Sequence, residues 1–122
     1  MAFQVTETRT TPFVKIDQGE ITIKGRSIPE DSFEFYEPVL VACENYVKNP
    51  AKNTVVSIYL EYVNSGSKKF LTNMLTILEK SYLDGNGYEV TWTHDSDDEA
   101  MMDLGNDLKG ILKIPLNIVV SE

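Results

Sequence analysis

The sequence predicts a single α/β domain, a mixed β-sheet with helices packed against it, and three stretches carry that prediction. Phe13-Val14-Lys15-Ile16 and Glu20-Ile21-Thr22-Ile23-Lys24-Gly25 alternate apolar and polar residues, the period of half-buried strands. Asp17-Gln18-Gly19 between them supplies turn chemistry, which makes the pair a β-hairpin. Asn53 to Tyr62 is rich in β-branched and aromatic residues, as a central strand requires. From Ser67 to Leu83, Leu71, Leu75, Leu78 and Tyr82 fall on one line and Phe70, Met74 and Ile77 on a second. That spacing is a helix with a wide apolar stripe.

The remaining elements fall into place around these. Met1 to Thr11 is polar and threonine-rich, and reads as a loose arm or an edge strand. Arg26 to Ser32 is a loop. A helix follows, starting between Asp31 and Pro38 and ending near Lys48. Asp31 with Glu34 fits a capping box, while Pro38 suits a first turn and moves the expected start toward Glu37. Val39, Leu40, Cys43, Tyr46 and Val47 form its apolar face, and Asn49-Pro50 closes it. Asp84-Gly85-Asn86-Gly87 ends the long helix with residues that tolerate positive φ. Tyr88 to His94 alternates as a strand. Ser96 with Glu99 reads as another capping box, before a helix that turns Met101, Leu104, Leu108 and Ile111 one way. Gly105 weakens that helix by about 1 kcal/mol relative to alanine. Leu112 to Val120 reads as a last strand interrupted at Pro115. No repeat, linker or low-complexity segment divides residues 1–122, so one domain is expected.

Composition narrows the function classes. A chain of 122 residues can bury one proper core. The net charge of -8 argues against nucleic acid and against an anionic membrane surface. No apolar run spans a bilayer, and Met1 to Thr11 lacks the basic start and apolar stretch of a secretory signal. The one cysteine, Cys43, cannot form an internal disulfide, which fits a reducing cytoplasm. A protein partner is the expectation, and the net charge suits a basic one.

The stretch with chemical content is Val63-Asn64-Ser65-Gly66-Ser67-Lys68-Lys69, which joins the central strand to the long helix. A helix start leaves backbone N–H groups open, and with the aligned peptide dipoles it favours negative charge. A phosphate on Ser65 would be held there. Lys68 and Lys69 oppose the dipole in the first turn and make better sense if an anion visits it. The plain alternative is that Ser65 or Ser67 only caps the helix and the lysines are solvated. Pattern alone favours that alternative, since capping serines are commoner than switches.

The layout of strand, Asn-Ser-Gly-Ser, amphipathic helix, glycine turn and strand resembles the anti-sigma-factor-antagonist (STAS) arrangement. There a serine or threonine at this junction is the phosphoacceptor of a partner switch. More closely, the chain resembles the SiaC family of bacterial regulatory phosphoproteins. The resemblance rests on Ile28-Pro29-Glu30-Asp31-Ser32-Phe33-Glu34 and Leu60-Glu61-Tyr62-Val63-Asn64-Ser65-Gly66-Ser67-Lys68, and runs from about Phe13 to Val120. It implies a non-enzymatic switch in which a dedicated kinase modifies the acceptor and a PP2C-type phosphatase restores it. The unmodified form would bind an output protein such as a diguanylate cyclase, in cyclic di-GMP and biofilm regulation. The acceptor carries over to Ser65, with Asn64, Gly66, Ser67 and Lys68 as its neighbours. Relatives more typically have a threonine followed by two serines, so Gly66 departs from the pattern and Ser67 becomes a second candidate. The resemblance also places the loop Pro29, Glu30, Asp31 and Ser32 beside the acceptor, as a docking edge for a partner.

Other constellations are weaker. The run Asp95-Ser96-Asp97-Asp98-Glu99 lacks the spaced ligands and central glycine of a calcium loop, and His94 is the only histidine, so no metal site is expected. Ser65 or Ser67 with His94 and Asp95 could form a hydrolase triad, but no Gly-x-Ser-x-Gly elbow surrounds either serine. Gly66-Ser67-Lys68 lacks the spacing of a phosphate-binding loop. Cys43 reads as a small buried hydrophobe, and the core claims Trp92. No catalytic residue and no cofactor are expected. The competing readings are a constitutive protein–protein adaptor or a small-ligand STAS-type module that needs no phosphorylation.

Overall fold

The hairpin of Phe13–Asp17 (β2) and Glu20–Ser27 (β3) forms, and it is the antiparallel part of a six-stranded sheet. The computed structural model describes residues 2–121; Met1, at the head of the expected arm, and Glu122 lie outside them. Of the two expectations for the N-terminal stretch, the edge strand is right for Phe3–Val5 (β1), which pairs antiparallel with β2. Then come Ser32–Tyr46 (α1), Asn53–Val63 (β4), Ser65–Leu83 (α2), Gly87–Asp95 (β5), Glu99–Ile111 (α3) and Leu116–Ser121 (β6). The sheet order is β1-β2-β3-β4-β5-β6, and β3 to β6 are parallel.

Each parallel crossover steps to the next strand in one direction. Right-handed connections therefore lay all three helices on the same face of the sheet. The burial pattern agrees: along β4, Val56, Ile58 and Leu60 are buried, while Val55 and Tyr59 on the opposite side are exposed. The core fills the space between layers, with Ile21, Ile23, Ile58, Val90 and Trp92 from the sheet facing Tyr36, Val39, Leu71, Leu75 and Leu78 from the helices. It is one mixed α/β sheet under three helices, as the sequence predicts.

Three boundaries differ. Helix α1 starts at Ser32, not near Glu37, because the Asp31 carboxylate accepts from the Glu34 amide at 3.0 Å and caps it there. Pro38 lies inside the helix. The bond it cannot make is to the Glu34 carbonyl, and both residues are exposed, so water can serve that oxygen. Helix α3 is capped by Asp98, whose carboxylate accepts from the Met101 amide at 3.1 Å, rather than by Ser96. Ser96 instead sits in the turn closed by the Asp98 amide on the Asp95 carbonyl. Of the expected apolar line, Met101 and Leu108 are buried but Ile111, in the last turn, is 68% exposed. Pro115 precedes β6 instead of interrupting it, and its carbonyl accepts from Val90 at 2.9 Å.

Gly105 does more than weaken a helix. A Cβ there would stand 2.6 Å from Trp92 Cδ1, and Trp92 is fully buried with its Nε1 donating to the Met101 carbonyl at 2.9 Å. The glycine lets α3 lie directly on the indole.

Cys43 is buried on α1 and free. Desolvation, helped by neighbouring Glu44, pushes its thiol up to about 12. The unfolded chain loses this proton from about pH 9 while the fold keeps it, so the group's contribution is intact below pH 9 and is lost as pH rises toward 12. Denaturant melts are expected to show stability falling over that range, with a shallower fall in Cys43→Ala. Equal slopes in the two proteins would contradict the assignment.

Candidate functional site

The turn between β4 and α2 is built around Asn64. Its side-chain oxygen accepts from the Ser67 amide at 2.9 Å, which makes Asn64 the cap of α2. Its side-chain nitrogen donates to the Pro29 carbonyl at 3.1 Å, and its own amide donates to the Ser27 carbonyl at 3.0 Å. Neither Ser65 nor Ser67 caps the helix, which corrects the plain reading of both serines. The amide is the better cap here because one side chain can close the helix and also tie it to the loop before α1.

The two serines have opposite fates. Ser65 is the first helical residue and is exposed. Ser67 is fully buried, and its hydroxyl donates to the Ser27 carbonyl at 3.0 Å. The Ser27 hydroxyl donates to Ser67 Oγ at 2.8 Å, which uses its one proton. The Tyr36 hydroxyl, 2.6 Å from Ser27 Oγ, is therefore the donor of that bond. Tyr36 is itself fully buried, stacked on Phe70, and burial raises the pKa of its phenol. This closed chain pins the ends of β3, α1 and α2 together beneath the turn. Among the described residues it leaves no buried side-chain polar atom unsatisfied.

Above it, the first-turn amides of Ser65 and Gly66 have no hydrogen-bond partner among the described residues. Lys68 and Lys69 are exposed, and the one ion pair among the described residues joins Lys15 to Glu20 elsewhere. Lys68 and Lys69 follow Ser65 by three and four residues, the spacings that share a helix face. Free donors, free cations and an exposed hydroxyl thus meet on one helical turn.

The loop before α1 lies beside that turn. Ser32 packs so closely on Gly66 that a Cβ on the glycine would be 2.3 Å from Ser32 Oγ and 2.8 Å from Ser32 Cβ. Glu30 and Asp31 are exposed, and Asp31 caps α1. Pro29, Glu30, Asp31 and Ser32 are thus neighbours of the turn, and Gly66 has a local steric reason.

The residues of a hydrolase triad are not assembled. Ser67 is engaged with Ser27, His94 Nδ1 meets the Asp95 carbonyl at 2.8 Å, and the Asp95 carboxylate accepts from Tyr59 at 2.5 Å. The acidic run holds no group of His, Cys, Asp and Glu able to bind a metal among the described residues. No helix among them is long and apolar enough to cross a membrane.

No periodicity or spacing in the sequence singles out Tyr62. It is the extra residue where the β3–β4 register shifts, opposite the Arg26/Ser27 step, and its φ is +53°. Its ring is 64% exposed with the Arg26 guanidinium 5.7 Å above it. Tyr36 and Ser27 were equally hidden, being ordinary letters until the fold joins them.

The family model for SiaC family regulatory phosphoproteins matches residues 5–121, the whole of the sheet from Val5 onward and all three helices. The chain belongs to the SiaC family. An uncharacterised protein of Pseudomonas aeruginosa (strain UCBPP-PA14) is 25% identical over 113 residues, covering 91% of this chain and 90% of that protein. Apo-SiaC from P. aeruginosa has the same fold, with a TM-score of 0.90 and 23% identity over 98% of this chain and 99% of that one. The same figures describe SiaC in its complex with the diguanylate cyclase SiaD, of which it is the activator. The SiaC-family assignment agrees with the phosphoprotein layout that the two sequence motifs suggest, and these structures share the fold seen here.

Proposed function

We propose that this chain is a non-enzymatic signalling protein of a bacterial partner switch, reversibly phosphorylated on Ser65 and acting in the cytoplasm. A dedicated kinase adds the phosphate and a PP2C-type phosphatase removes it. The unmodified form binds an output protein, a diguanylate cyclase by analogy with the SiaC–SiaD complex. The observation that carries this reading is the contrast between the two serines. Ser65 is exposed on a turn with free amides and free lysines, whereas Ser67 is buried and hydrogen-bonded. Of the two candidates, only Ser65 can enter a kinase without unfolding the helix start.

A phosphate on Ser65 brings nearly two negative charges and three acceptor oxygens. The amides of Ser65 and Gly66 and the ammonium groups of Lys68 and Lys69, all in the first turns of α2, would receive them. The surface at the turn then changes sign and hydration without any change of fold, and a partner fitted to the bare turn loses its match.

Calorimetric binding of the output cyclase to three proteins tests this. Ser65→Ala is expected to bind as the unmodified parent does. Ser65→Asp is expected to bind about tenfold more weakly, or about 1.4 kcal/mol, and the phosphorylated parent more weakly still. Parent-like binding by Ser65→Asp and by the phosphorylated protein alike would falsify the switch.

A further inference from the structure

On the other side of the turn from α1, a groove of about 630 Å³ opens between the end of β4 and the start of α3. Its floor is apolar, made by Ile28, Val63, Met101 and Leu104. Its rim is acidic, with Glu61, Asp95, Asp97 and Asp98, and Lys68 is the single cation that lines it. None of these carboxylates makes an ion pair among the described residues. Asp98 spends one oxygen on capping α3 and Asp95 one on the Tyr59 hydroxyl, while Glu61 and Asp97 are exposed.

Tyr62 stands on the same rim. A positive φ disfavours a bulky side chain, and the fold gains little from this ring, which is 64% exposed. A bulge that turns an aromatic residue outward beside a groove places a contact residue rather than a core residue. Tyrosine is also among the residues that anchor protein interfaces.

We propose that this groove is a docking site for a partner-protein segment that presents an apolar side chain between arginine or lysine residues. The apolar side chain enters the floor, the basic residues meet Glu61, Asp97 and the free oxygens of Asp95 and Asp98, and Tyr62 closes over the segment. Charge complementarity selects the occupant: four unpaired carboxylates around an apolar floor reject an acidic segment and leave a purely apolar one with nothing to neutralise them. The inference rests on the functional reading above only in that the chain works through protein partners. It does not depend on phosphorylation.

The test uses the unmodified, isotope-labelled full chain and a panel of synthetic peptides. Each peptide carries one leucine, isoleucine, methionine or phenylalanine between arginine pairs. Controls replace the apolar residue by alanine or the arginines by glutamate. The expected result is saturable amide shifts at Val63, Ala100, Met101 and Leu104 for at least one apolar peptide, and none for the glutamate control. Asp97→Lys is expected to weaken that binding about tenfold. Tyr62→Asn, which tolerates positive φ, is expected to weaken it by a similar factor of about ten while the melting temperature stays level or rises. Three results would overturn the proposal: no saturable shift with any peptide, equal shifts with the alanine control, or parent-like binding by both variants. Because every measurement is on unmodified protein, such a failure leaves the Ser65 switch standing. A missing phosphate on Ser65 would likewise leave the groove standing.

Discussion

A Tyr36→Ala protein is expected to lose about 3–5 kcal/mol of stability, the range for deleting a buried aromatic side chain. The ring is fully buried, stacks on Phe70 with centroids 5.6 Å apart, and meets Phe35 edge-on at 4.9 Å. The hydroxyl has a separate role, because it donates to Ser27 and so begins the chain that ends at the α2 start. Tyr36→Phe keeps the ring and removes that donor, and about 1–3 kcal/mol is expected for the acceptor left without its partner. The two variants separate packing from polar satisfaction. Denaturant melts give the energies, and amide exchange at Ser67 and Lys68 reads the local effect. If Tyr36→Phe matched the parent in both, the network would not be what holds the turn.

Gly66→Val is the second large effect. A Cβ at this position already collides with the Cβ of Ser32, which the first turn of α1 holds in place, and two further methyl groups add to the collision. Overpacking of this kind costs about 1–3 kcal/mol. The gain in helix propensity of about 0.5 kcal/mol over glycine offsets only part of that. Ser32→Gly clears the obstructing atoms, so the double variant is expected to recover most of the loss, and a double-mutant cycle measures the coupling. Simple additivity would show that the two helix starts do not press on each other. The same contact leaves no room for a side chain at Gly66, because the loop before α1 closes directly onto the start of α2.

The parts that were legible in the sequence are those governed by periodicity. Alternation gave β2, β3 and β5, the β-branched run gave β4, and the apolar stripe gave α2, because burying one face leaves a repeat in the letters. Helix starts were less legible, since several residues can cap and only the fold chooses among them. Asn64 displaced Ser65 and Ser67 because it also reaches Pro29, and Asp98 displaced Ser96 because the chain needs a turn before α3. Pro38 does not mark the start of α1, because the Glu34 carbonyl it leaves without a partner is exposed to water, which lowers the cost of a proline inside the helix.

At the site, the resemblance marked Ser65 and the loop near it, and the spacing marked Lys68. The distinction between Ser65 and Ser67 was not legible. It depends on Ser27 and Tyr36, which are 40 and 31 residues before Ser67 in the chain and meet it only when β3 and α1 pack beside α2. Tyr62 was hidden for a different reason. Its register shift and positive φ arise from the pairing of β4 with β3, and no single-strand pattern encodes a bulge in a parallel pair.

The most direct test of the central claim is site-mapping mass spectrometry of the intact protein purified from its native cells with phosphatase inhibitors present. The account predicts a single phosphate on Ser65, removed by a PP2C-type phosphatase and absent from Ser65→Ala. A phosphate on Ser67 with Ser65 bare, or no phosphate under several growth conditions, would contradict it.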